Sequence, residues 1–103
     1  MKELVVFDEM DAPSADGTSL KGGVMASYNQ IVKALGEPTF SEPSADGKVN
    51  VEWIVRYDDD IFTVYDWKNY DNSPVDNPNK VINWHIGGHR SAFDFMEELE
   101  NRI

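Results

Sequence analysis

Two histidines stand four residues apart in His85-Ile86-Gly87-Gly88-His89. The glycines between them would let the backbone fold so that both rings face one point. With Asp66 or Asp94 alongside, such a set suggests a divalent metal or an acid–base pair, because imidazole ligates metals and titrates near neutral pH. The spacing does not match the helical His-Glu-x-x-His arrangement. On a strand, His85 projects with Val81 and Asn83 and away from Trp84. A strand-end histidine that hydrogen-bonds the turn accounts for it more simply. The sequence also contains no Gly-x-Ser-x-Gly elbow, phosphate-cradling glycine loop or dinucleotide fingerprint. No catalytic residue, metal ligand or cofactor is therefore assigned. A nucleotide-binding or metal-dependent enzyme using His85 and His89 stands as the alternative.

Trp53, Tyr65, Trp67 and Trp84 could form a stacking platform for bases. A single-strand groove also needs lysines and arginines tracking the backbone, and these are missing. Core packing is the simpler expectation for the aromatics. Trp67, followed by Lys68 at a strand end, is the exception and a candidate partner contact. Acids fall in clusters: Asp8-Glu9 with Asp11 and Asp16, Asp58-Asp59-Asp60, and Glu97-Glu98 with Glu100. Such runs commonly form solvated faces that keep a small protein soluble. They also suit imitation of a DNA duplex, which shows one charge per roughly 1.7 Å of axis. Asp58, Asp59, Asp60, Glu97, Glu98 and Glu100 are the candidate contacts of that second reading. The Asp58–Asp60 run lacks the spaced ligands and closing glutamate of a calcium loop.

Composition bounds what these groups can serve. The 103 residues carry 19 acids against nine bases, for a formal charge of −10, and no cysteine. Disulfides and zinc–thiolate sites are excluded, and a reducing cytoplasm is the expected setting. No apolar run approaches the length of a bilayer span, and the N-terminus lacks an apolar signal segment. The charge repels nucleic acid and anionic lipid and favours basic protein surfaces. The expected organisation is a single domain over 1–103, with an N-terminal strand and turn over 1–17 and a main body over 18–103.

The elements that must position these residues follow from periodicity. Leu4–Phe7 reads as a strand, and Ser19–Ala26 as a second one interrupted by Gly22-Gly23. Pro-Ser-Ala-Asp-Gly occurs at 13–17 and again at 43–47; unmatched flanks make these two similar turns rather than a repeat. Ser27 and Gln30 form a capping box for a helix over Tyr28–Leu35, with Gly36 as its left-handed stop and Pro38 beyond. From Val49 to Tyr57 the pattern alternates, with Val49, Val51, Trp53, Val55 and Tyr57 on one face and Asn50, Glu52, Ile54 and Arg56 on the other. Asp58–Asp60 turns the chain into a strand over Ile61–Trp67, completing an antiparallel hairpin. Lys68–Lys80 reads as a loop. Val81–Ile86 is a strand that Gly87-Gly88 ends. Ser91 with Asp94 opens a last helix that buries Ala92, Phe95, Met96, Leu99 and Ile103. The fold class is α+β, in the order β-β-α-β-β-β-α, an antiparallel sheet with two helices packed on one face.

Leu35-Gly36-Glu37-Pro38-Thr39, Val51-Glu52-Trp53, Tyr65-Asp66-Trp67-Lys68 and Trp84-His85-Ile86-Gly87-Gly88-His89 follow one another in an order that resembles a family of small acidic proteins encoded by tailed bacteriophages and other large DNA viruses. The resemblance covers residues 17–103. It departs at Asp58–Asp60, where an Asp-Gly turn is expected. It implies a viral origin, the cytoplasm of an infected host cell, and a host-directed accessory role, and it carries over no established activity, cofactor or catalytic residue. Together with the charge it leads to a non-catalytic inhibitor of a host defence protein. A nuclease, a restriction enzyme or a CRISPR effector would offer the basic surface, with no direct binding to nucleic acid or membrane. A homo-oligomeric structural accessory, such as a homodimer, is a further alternative.

Overall fold

A computed structural model describes residues 3–69 and 73–103. The elements are β1 (Leu4–Val6), β2 (Ser19–Ala26), α1 (Tyr28–Leu35), β3 (Glu52–Tyr57), β4 (Asp60–Tyr65), β5 (Ile82–Gly88) and α2 (Phe93–Arg102). The strands form one sheet in the order β1-β3-β4-β5-β2, antiparallel throughout. This is the α+β order read from the sequence. No helix among the described residues is long and apolar enough to cross a membrane.

Alternation explains the core. Val55 and Trp53 of β3 lie opposite Phe62 and Val64 of β4, Val64 lies opposite Ile86 of β5, and Trp84 of β5 opposite Val24 of β2. Facing partners of an antiparallel pair share a side of the sheet. All of these residues are buried, together with Ile31 and Leu35 of α1 and Phe95 and Leu99 of α2. Phe95 stacks on Phe62 at 4.8 Å, and Tyr28 tilts against Trp53 at 6.0 Å. The helices thus cover one face. The two buried tryptophans meet edge to face at 5.5 Å, and each indole N–H reaches a backbone carbonyl, Gly36 for Trp53 and Ala26 for Trp84. Those bonds remove the cost of burying a polar tip.

α1 carries the expected capping box. The Ser27 hydroxyl accepts from the Gln30 N–H, and the Gln30 side chain accepts from the Ser27 N–H. Gly36 ends the helix at φ 86° and ψ −159°, a region essentially confined to glycine rather than the left-handed helical one. α2 departs from expectation. Its N-cap is Ala92, with no side-chain cap. The Ser91 hydroxyl stands one position early and makes only a long bond, 3.4 Å, from the Phe93 N–H.

Strand boundaries also differ from the sequence reading: β1 ends at Val6 rather than Phe7, β4 at Tyr65 rather than Trp67, and β5 starts at Ile82 rather than Val81. β3 begins at Glu52 rather than Val49, because the N–H groups of Asn50 and Val51 donate to Asp66 Oδ1 at 2.7 and 3.0 Å instead of to a strand. Asp60 belongs to β4, so the turn is only Asp58-Asp59, with Asp58 at φ 59°. Gly87 and Gly88 continue β5 instead of ending it, and Gly88 pairs with Phe62. Both Pro-Ser-Ala-Asp-Gly segments turn with the glycine at positive φ, 82° at Gly17 and 72° at Gly47, but the closing bond runs from the Thr18 N–H to Ala15 in the first and, one position earlier, from the Gly47 N–H to Ser44 in the second. Of the 68–80 loop, Tyr70 to Asn72 lie outside the described residues. Its far part is tied to the start of α1, where the Asn29 N–H donates to the Pro78 carbonyl and the Asn29 amide to Asn79.

Candidate functional site

The face away from the helices carries the groups able to do chemistry. One cross-strand row runs Phe40, Glu52, Tyr65, His85, Gly23. Strand pairing brings these residues together although they are distant in sequence. The next row toward the β3–β4 turn, Ile54 and Thr63, is buried, while on β2 Leu20 and Met25 of the same face are exposed, and Tyr65 is half-buried. There Trp67 leaves β4 and lies over His85, with ring centroids 6.0 Å apart and planes 24° apart, and meets Tyr65 edge-on at 6.2 Å. Lys48 and Lys68 each place an ammonium 5.8 Å from the Trp67 ring. Trp67 remains 40% exposed.

Of the four aromatics considered as a platform, then, Trp53 and Trp84 are core. Tyr65 and Trp67 form an aromatic cluster with His85 that the sequence does not show.

His85 and His89 do not face one point. β5 is extended through Gly88, and at about 3.3 Å per residue their Cα atoms stand about 13 Å apart. His85 turns to Tyr65 and Trp67, whereas His89 is exposed near Gly17. Asp66 serves neither. It is fully buried, and its carboxylate accepts from the Asn50 and Val51 N–H groups and from the Asn50 and Asn69 amides. Among the described residues no group of three or more potential ligands could hold a metal ion.

At the Phe40–Glu52 end of this row lies a pocket of about 330 Å³ lined by Glu9, Phe40, Glu42, Pro43, Ser44, Val49 and Glu52. Neither spacing nor composition marks it. The sole local signal is an acid, Glu52, inside the most regular strand. Burial raises the Glu52 pKa above the usual carboxylate value. The Tyr65 hydroxyl is likewise raised, first by burial and then by the Glu52 charge. Arg56 points elsewhere, pairing with Glu3 at 2.7 Å.

The acids expected to meet a partner fall on two elements. Asp58 and Asp59 are exposed at the β3–β4 turn, whereas Asp60 is turned toward Arg90 at 3.6 Å. On α2, Glu98 pairs with Arg102 at 2.8 Å. Glu97 and Glu100 are exposed and border shallow grooves with Phe93, Met96 and Met25. Comparison with protein-family models, curated proteins and solved structures returned no match to this chain.

Proposed function

We propose that the protein is a non-catalytic binding protein that presents acidic surface to a basic site on a partner protein, one that normally holds nucleic acid. The observation that carries this reading is how charge is partitioned. Each of the three arginines is paired to a local acid, Arg56 to Glu3, Arg90 to Asp60 and Arg102 to Glu98. Asp58, Asp59, Glu97 and Glu100 remain exposed and unpaired among the described residues. Single exposed charges contribute little, but together they steer association. The resemblance to viral accessory proteins makes a host defence protein the natural target, and inhibition the natural outcome. Competition tests this directly. DNA or RNA should displace the protein from its partner, and simultaneous binding of both would refute the shared site.

A second reading has its own observation. Trp67 stands partly exposed on a rigid aromatic base, as apolar interface anchors do. It predicts a salt-independent complex that Trp67→Ala abolishes.

A further inference from the structure

The pocket at Phe40 and Glu52 has the chemistry of a receptor for one particular side chain. Its walls are apolar at Phe40, Pro43 and Val49, and its polar lining is dominated by glutamates 9, 42 and 52. Its volume, about 330 Å³, is at the small end for ligand pockets and suits a side chain better than a cofactor. Glu52 is half-buried, and no cation among the described residues pairs with it. The base nearest on its own strand face, Arg56, is held by Glu3 at the far end of β3. A carboxylate drawn partly out of water without a counter-ion gains from an incoming cation.

We propose that this pocket receives an arginine side chain of the partner, with the guanidinium on Glu52 and the stem along Phe40 and Val49. The proposal rests on the basic-partner reading and names its anchor. A guanidinium fits better than an ammonium. It is planar, weakly hydrated, able to bond a carboxylate with two parallel N–H groups, and able to stack on an aromatic ring.

The test is a nuclear magnetic resonance titration with acetyl-Gly-Arg-Gly-amide, following the Val49 methyls and the Phe40 ring. Those signals should move saturably. The citrulline peptide, equal in shape but uncharged, should bind at least about tenfold more weakly, as should the arginine peptide to Glu52→Gln. Asp76→Asn, which removes the same charge from the exposed loop, should bind like the native protein. Equal binding of the citrulline or lysine peptide would overturn the arginine assignment, and so would an unchanged affinity in Glu52→Gln. The peptide arm needs no partner, so the two proposals fail separately. If the peptide binds and nucleic acid fails to displace the protein from its partner, the pocket stands and the partner reading falls. If Glu52→Gln leaves a DNA-competed complex intact, the pocket proposal falls alone.

Discussion

Glu52 opens β3 and Asp66 directly follows β4, and burial means different things for these two carboxylates. Asp66 is wholly enclosed, and four N–H groups from Asn50, Val51 and Asn69 satisfy it. Glu52 is half-enclosed without a cation, and its pKa is raised. The folded chain therefore holds the Glu52 proton more tightly than the unfolded chain. Glu52 costs stability as pH rises through its folded pKa, and the cost vanishes below its unfolded value. Glu52→Gln should be more stable than the native protein at neutral pH, and the difference should close in acid. Thermal melts at neutral and acidic pH check this, and a constant difference at both would contradict it. Trp53 is the opposite case. It is fully buried between Trp84 and Tyr28. Trp53→Ala should cost about 3–5 kcal/mol in chemical denaturation, as large aromatic truncations in cores do. Its burial was legible from the alternation of β3. The role of Asp66 was not, because its backbone partners lie 15 and 16 residues back and no local spacing encodes them.

The hairpin, the α1 cap and the last helix were readable because each depends on neighbours within a few residues. The ends of β3 and β5 were not. Val49 and Val51 continue the alternation, yet Asp66 captures the Asn50 and Val51 N–H groups and the Ser44 hydroxyl that of Val49. Gly87-Gly88 has the composition of a break, but the cross-strand neighbours explain it. A methyl at Gly87 would lie 2.7 Å from Thr63 Oγ1, and one at Gly88 2.9 Å from the Phe62 ring. These glycines let β4 and β5 approach. Gly87→Ala should therefore destabilise by about 1–3 kcal/mol, the usual penalty of overpacking, with the sheet signal in circular dichroism retained. A neutral result would show that Thr63 yields. The candidate pocket follows the same logic. It is assembled from residues near 9, 40 to 49 and 52, brought together by the pairing of Phe40 with Glu52 and by the bonds of Phe7 to Ile54 and Thr39.

Across the whole molecule, the charge is −10, and the three arginines are already paired with acids of the chain. The remaining cations include Lys48 and Lys68, held at Trp67. Net charge and cluster positions were visible in the sequence. The pairing of Asp60 was not, since it depends on Arg90 meeting the hairpin, whereas Glu98 and Arg102 stand four apart on the last helix, a spacing the sequence does show. Asp58 and Asp59 are thus the turn carboxylates free to meet a partner. Asp58→Asn with Asp59→Asn should leave the fold intact, because asparagine also accepts the positive φ of Asp58. It should slow association without comparably speeding dissociation. The most direct measurement of the proposed basic-partner reading is the association rate with the isolated partner protein, followed across ionic strength. An electrostatic complex should lose at least about tenfold in that rate between low and physiological salt, and the double Asp→Asn variant should flatten the dependence. An equal rate at low and high salt, with binding abolished by Trp67→Ala, would contradict the account.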